Sequence, residues 1–236
     1  GSLTVTIDGA SYLGEPGQTI LELAKSNRIA IPTLCHHPAL EAHGGCRLCL
    51  VEITVRGRRR LVTACNYEIA AGLEVQTDSE RVRRSRRMSV ELLLARCPEA
   101  EVLQSLAADY GIERPRFALE DDDCILCGLC VRVCRERMGV GAADFVGRGG
   151  DMRVDTPYHR GSEVCISCGA CESLCPTHSI RLATVYERPP VRQMSEFDTA
   201  LRQRPSIHIP FPQALPNAPV LDRANCARFL QAERGI

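Results

Sequence analysis

Residues 124–134 read CILCGLCVRVC and residues 165–176 read CISCGACESLCP. Each is a C-x2-C-x2-C-x3-C run, the spacing with which three neighbouring thiolates cap three irons of a 4Fe-4S cubane while the fourth reaches the other cubane of a pair. On that rule Cys124, Cys127, Cys130 and Cys175 hold one cluster, and Cys165, Cys168, Cys171 and Cys134 hold the second. Gly128 and Gly169 lie between ligands, where a loop wrapping a bulky inorganic core has little room for a Cβ. Pro176 follows the last Cys of the second run, whereas Arg135 takes the equivalent place in the first. Zinc also binds C-x2-C pairs in fours, but two successive eleven-residue runs of this spacing argue against it.

Working outward, a third quartet appears upstream: Cys35, Cys46, Cys49 and Cys65. A 2Fe-2S site of the plant type uses C-x4-C-x2-C and a distant fourth Cys; here the first gap is longer and the last shorter. Its surroundings read as a β-grasp sheet. LTVTIDGA alternates like a strand with a turn, TILELAKSN is a short amphipathic helix, and LCLVEITVRGRRRLVTAC is a hairpin turning near Gly57. His36, His37 and His43 lie in or beside the cluster loop. Two His ligands would make a Rieske-type centre, but four Cys already complete the set, so these imidazoles read as surface or supporting groups.

Composition agrees with a chain held partly by inorganic cores. The sequence has 236 residues, 14 Cys, 5 Phe, 5 Tyr and no Trp, so its apolar core is thin for its length. Lys+Arg and Asp+Glu balance at 29 each, which argues against a globally basic nucleic-acid binder. Almost all the positive charge is arginine, Lys25 being the one lysine. No stretch approaches the run of about 18 apolar residues of a membrane span, and no signal pattern opens the chain. The expected location is cytoplasmic, where disulfides are disfavoured. The chain begins Gly-Ser without Met, which reads as an expression scar.

IPTLCHHPAL, GGCRLCLVEI and LVTAC, followed by the paired cubane runs, resemble the N-terminal part of the large iron-sulfur subunit of respiratory complex I. The same order occurs in the diaphorase iron-sulfur subunit of NAD-reducing hydrogenases and at the N-terminus of multi-cluster iron-only hydrogenases. The resemblance covers residues 3 to about 186. It implies a region that carries electrons between an NAD(H)-handling flavin and a distant catalytic centre. The implied cofactors are one 2Fe-2S cluster and two 4Fe-4S clusters. The implied partners are an NAD(H)- or FAD-linked flavoprotein subunit or domain and a downstream oxidoreductase catalytic subunit.

Two stretches depart from that family. Between the 2Fe-2S module and the cubanes it usually places another 4Fe-4S cluster with one His and three Cys ligands. Here SVELLLARCPEAEVLQSLAADYGIERP offers only Cys97 and no His. The segment reads instead as two helices, Glu80 to Arg96 and Glu99 to Tyr110, with Pro98 starting the second and Gly111 ending it. Cys97 reads as a small buried hydrophobe rather than a relic ligand. The tail, SIHIPFPQALPNAPVLDRANCARF, resembles a segment of the flavoproteins of heterodisulfide reductases that leads into a further cysteine-rich motif. Its prolines exclude a regular helix, so an extended arm is expected, and Cys226 would open a motif lying past Ile236 in a longer chain.

The expected architecture is α+β. It comprises a β-grasp 2Fe-2S ferredoxin domain (1–78), a short helical connector (79–116), a two-cluster 4Fe-4S ferredoxin-like domain (117–186) and an extended Pro-rich C-terminal arm (187–236). The expected function is an electron-transfer iron-sulfur subunit or domain with no catalytic site of its own. It would serve an NAD(P)H-linked oxidoreductase complex of hydrogenase, formate dehydrogenase or heterodisulfide-reductase-like type. GRGGD at 147–151 lacks the strand-turn-helix context of a nucleotide loop, which leaves a self-sufficient small-molecule enzyme without a cofactor site. The competing class is a redox- or iron-responsive regulator that binds nucleic acid through RVRRSRR, Arg81 to Arg87. No aromatic residue interleaves with that run, so a solvated helix face or an acidic docking partner suits it better. Asp121, Asp122 and Asp123 precede the first ligand of the cubane run, Arg132, Arg135 and Arg137 flank Cys134, and these charges would tune cluster potential, while His178 could hydrogen-bond cluster sulfur.

Overall fold

Asp8 and Gly9 both adopt left-handed backbone, φ 50° and 86°, and so make the two-residue turn that an Asp-Gly pair favours. That turn joins strands β1 (Leu3–Ile7) and β2 (Ala10–Gly14) in antiparallel register. The computed structural model describes residues 1–159, 162, 164–166 and 168–180, with the backbone of two short strands at 207–208 and 220–221. It divides into two units, Gly1–Cys127 and Gly128–Ile236.

In the first unit helix α1 (Ile20–Ser26) starts at Thr19, whose hydroxyl accepts from the Glu22 N–H while the Glu22 carboxylate accepts from the Thr19 N–H. This reciprocal cap satisfies two of the helix's orphan donors. Strands β3 (Leu50–Val55) and β4 (Arg58–Thr63) form the hairpin expected at Gly57, and β5 (Leu73–Gln76) completes a mixed sheet of order β2-β1-β5-β3-β4. β5 runs parallel to β1 and antiparallel to β3. It is the central strand, although its four residues carry no strand signal of their own. One sheet face packs on α1 through Val5, Ile7, Ile20, Leu23, Val51 and Ile53, all essentially inaccessible.

Helix α2 (Glu80–Arg96) has the boundaries expected from sequence, with Ser79 as its side-chain cap. Helix α3 (Glu101–Asp109) begins two residues later than expected. Its N-cap is Ala100, and Pro98 lies in the preceding turn, because the Ala100 N–H is used to close on Cys97 O. Gly111 follows the C-cap at φ 63°, as the expected stop. The solvated face expected for the arginine run of α2 needs one correction. Arg86 is 4% exposed, because the helical period carries it to the same side as Val82 and Val90.

The second unit opens with α4 (Leu129–Arg132), which continues into a π-helical turn at Val133–Arg137. A small hairpin of β6 (Asp144–Val146) and β7 (Arg153–Asp155) follows, then α5 (Ala170–Ser173). The GRGGD stretch is the loop of that hairpin. The expected Pro-rich arm lies outside the described residues apart from β8 (Ile207–His208) and β9 (Val220–Leu221), which pair antiparallel; Cys226 lies outside them too. No helix among the described residues is long and apolar enough to cross a membrane.

Candidate metal centres

The first unit brings Cys35, Cys46, Cys49 and Cys65 together. All four are buried, and Cys49 and Cys65 belong to the same apolar cluster as the sheet and α1. Cys49 directly precedes β3, and Cys65 follows β4 after one intervening residue. The Ala64 N–H donates to Cys49 O (3.0 Å), and the Leu21 N–H of α1 donates to Ala64 O (2.9 Å), so hairpin and helix together fix this half of the site. The loop half is held by the Cys46 N–H, which points at Cys35 Sγ (3.4 Å). Arg47, between the ligands, takes left-handed backbone at φ 60°.

The thiols interact in two pairs, Cys35 with Cys46 and Cys49 with Cys65. A hydrogen bond from the Cys35 thiol lowers Cys46 to about 5 and pushes Cys35 itself up. The same relation lowers Cys49 to about 7 and raises Cys65, which also feels the charges of Cys49, Cys35 and Cys46. Four buried cysteines in two interacting pairs supply the all-sulfur donor set that an iron-sulfur core takes. Two nearby imidazoles have other contacts: His36 Nδ1 lies 3.4 Å from Lys25 Nζ, and His37 Nδ1 accepts from the Ala39 N–H at 3.2 Å.

Cys124 and Cys127 close the first unit, the former half-buried and the latter buried. Asp122 Oδ1 accepts from the Cys124 N–H (3.0 Å), and Arg96 donates to Cys124 O (2.9 Å) and to Asp122 (2.6 Å). Asp122 is thus more than a charge beside a ligand. A side chain that accepts from the N–H two residues on makes an Asx turn, a signal that is local in sequence. Arg96 has no such signal. Cys97 is completely buried, and desolvation, assisted by Asp122, pushes its thiol up to about 12. A thiol held neutral this way is inert, as expected for a packing residue.

In the second unit the two runs are built alike. Gly128 and Gly169, at φ 69° and 73°, are the left-handed N-caps of α4 and α5, whose second residues are Cys130 and Cys171. At Gly128 a Cβ would also sit 3.0 Å from Phe145 Cζ, so a neighbouring side chain adds to the backbone demand for glycine. α4 and α5 pack against each other. Burial and the charges of Cys134 and Cys165 raise Cys168, although part of that residue faces solvent. Burial together with Cys168, Cys165 and Cys134 raises Cys171. Cys134 is therefore in electrostatic reach of the later run. Its sulfur accepts from the Ala142 N–H (3.2 Å), and Cys175 Sγ lies 3.7 Å from Thr177 Oγ1. Arg135, standing where the second run has proline, pairs with Asp144 of β6. The His178 backbone N–H donates to Cys175 O. None of the thirteen described cysteines is in a disulfide.

Comparison with known proteins meets this geometry at both ends. Residues 1–80 match the 2Fe-2S iron-sulfur cluster binding domain family, and residues 123–180 match the 4Fe-4S dicluster domain family. The chain accordingly carries one 2Fe-2S cluster and two 4Fe-4S clusters. It is 34% identical over 211 residues to the HndD subunit of the NADP-reducing hydrogenase of Solidesulfovibrio fructosivorans, covering 75% of this chain and 36% of that protein. It is 33% identical over 206 residues to an NADH-quinone oxidoreductase subunit of Rhizobium meliloti (strain 1021), covering 75% and 24%. The chain thus spans about a third and a quarter of these curated relatives. Among solved structures, a chain of an NAD+-reducing NiFe-hydrogenase in the H2-reduced state superposes with a TM-score of 0.61. That chain is 31% identical, and the match covers 78% of this chain and 82% of the other.

Proposed function

Because the chain belongs to the iron-sulfur subunit family shared by NAD(P)-linked hydrogenases and NADH-quinone oxidoreductases, we propose that it conducts electrons between an NAD(H)-linked flavoprotein and a second redox centre. The observation that carries this reading is the set of four buried cysteines in the first unit, with the Cys46 N–H aimed at Cys35 Sγ, followed by the paired cubane runs. When bound, the clusters accept and release single electrons without transferring atoms. The chain's own residues hold and tune. Cys35, Cys46, Cys49 and Cys65 are the 2Fe-2S ligands; Cys124, Cys127, Cys130 and Cys175 hold one 4Fe-4S cluster; Cys165, Cys168, Cys171 and Cys134 hold the other. Backbone N–H groups at Cys46 and Ala142 point at ligand sulfurs and favour the more negative, reduced state.

The nucleic-acid alternative loses its footing. In the run Arg81 to Arg87, Arg86 is buried on Leu50 O, Arg83 pairs with Asp78, and Arg81 reaches Glu52 at 3.5 Å. The relatives, too, are oxidoreductase subunits. Substrate chemistry then belongs to partners, a flavoprotein and a catalytic subunit or domain. Anaerobically reconstituted full chain tests this. Mixed with NADH alone it should show no NADH oxidation, and with NADH plus a flavoprotein NADH dehydrogenase its clusters should become reduced. Stoichiometric flavin on the purified chain, or NADH oxidation without a partner, would refute the reading.

A further inference from the structure

Two arginines on α2, ten residues apart, hold backbone carbonyls next to two different sites, Arg86 that of Leu50 at the start of β3 and Arg96 that of Cys124. Arg86 donates from Nε (3.1 Å) and Nη2 (2.7 Å) to the carbonyl of Leu50, the residue that follows the 2Fe-2S ligand Cys49. Arg96 donates from Nε (2.9 Å) to the carbonyl of Cys124, the first ligand of the first cubane run, while its Nη2 grips Asp122, whose other oxygen holds the Cys124 N–H. Arg86 is 4% exposed and the Arg96 side chain 19%. Ten residues of α-helix span about 15 Å.

The helix between the two arginines is itself pinned. Glu91, 2% exposed, receives Arg116 Nε at 3.0 Å from the segment that leads back toward Cys124. Ala95 O accepts from the Glu120 N–H (2.7 Å), so the returning chain runs along the C-terminal turn of α2. From Leu50 to Cys124 these links run through one continuous helix.

We infer that α2 is a spacer that fixes the separation between the 2Fe-2S site and the Cys124 end of the first 4Fe-4S site, with Arg86 and Arg96 as its two positioning residues. The inference rests on the ligand assignment proposed above. It gives the connector a role, since a helix with an arginine clamp at each end holds Cys124 at one distance from the 2Fe-2S site within the first unit. Arg96 sets a positive charge on the backbone of the proposed ligand Cys124, and Arg86 sets one on the residue after the proposed ligand Cys49; positive charge there favours the reduced cluster.

The test uses the full, cluster-loaded chain and pulsed electron paramagnetic resonance to measure the distance distribution between the reduced 2Fe-2S centre and the 4Fe-4S centres, alongside redox titration. The parent should give one narrow distance to the nearer 4Fe-4S centre. Arg86→Gln and Arg96→Gln should each broaden it at full iron content. Arg96→Gln should also lower the potential of one 4Fe-4S centre and leave the 2Fe-2S potential unchanged; Arg86→Gln should do the reverse. Arg96→Lys should restore the potential yet keep the broadened distance, because an ammonium supplies the charge without the two-pronged grip. If a Gln variant loses iron, the Lys variants at both positions carry the same distance prediction. An unchanged distribution in the iron-replete variants would overturn the spacer. Cys124→Ala separates the two ideas: retention of every cluster would defeat the ligand assignment, whereas loss of one 4Fe-4S cluster with unaffected arginine variants would defeat the spacer alone.

Discussion

Glu91 is a carboxylate in the middle of α2 with 2% of its surface exposed, and its charge is tolerated because Arg116 hydrogen-bonds to it. The hydrogen bond from Arg116, ahead of its simple attraction, holds Glu91 below the usual carboxylate range. A carboxyl depressed in the folded state contributes stability above its unfolded value, near about 4.3, and loses it as pH falls through the folded value. Between pH 5 and 8, therefore, the pair's contribution should be constant. Arg116→Ala leaves the Glu91 charge without its partner, so a lower urea-unfolding midpoint at pH 7 is expected. Because the Arg116 side chain is 64% exposed and water screens it, the loss should be smaller than for a fully buried pair, and an unchanged midpoint would contradict the pairing. Cys97 makes the opposite case. It is inaccessible and holds no ligand position, so Cys97→Ala should retain all iron and cost about 1 kcal/mol of packing. Loss of four irons would make it a ligand. The cluster types are legible in the sequence because thiolate spacing is a local signal, and Cys97 stands outside every run. Arg86, Glu91 and Arg96 are not legible, since a charged residue in a helix reads as solvated until its partner across about 25 or more residues is known.

At the scale of elements, the legible ones carry their own punctuation. α1 and α2 have side-chain caps at Thr19 and Ser79, and the β1–β2 hairpin has its Asp-Gly turn. β5 escapes a sequence reading because its four residues, LEVQ, are too few for alternation to register, and only pairing with both β1 and β3 makes it a strand. The β6–β7 hairpin escapes it because the glycine-rich loop carries no strand pattern across 147–151. The proposed crossed ligation belongs to this scale as well, because it has α4 and α5 share their clusters. Cys134→Ala should disturb the 4Fe-4S centre of Cys165, Cys168 and Cys171 more than the other, and Cys175→Ala should disturb that of Cys124, Cys127 and Cys130. Mössbauer or paramagnetic resonance spectra of the two variants check this, and selective loss in the uncrossed sense would refute it.

For the whole molecule, the balance of 29 basic and 29 acidic residues hides a local order. Several arginines are committed to backbone carbonyls and buried carboxylates, while sulfur occupies core positions where other chains would place larger hydrocarbon groups. With Cys49 and Cys65, the proposed ligands, in the apolar core, cluster assembly and folding of the first unit should be coupled. Removing iron with an anaerobic chelator should therefore lower the unfolding temperature of the full chain, and a chelated chain of undiminished stability would separate the two. The central claim, three iron-sulfur clusters in series as an electron path, meets its most direct test in anaerobic iron and acid-labile sulfide analysis combined with paramagnetic resonance of the reduced chain. Ten irons and ten sulfides per chain are expected, with one 2Fe-2S signal and two interacting 4Fe-4S signals. A zinc content near three per chain, with little sulfide, would contradict it.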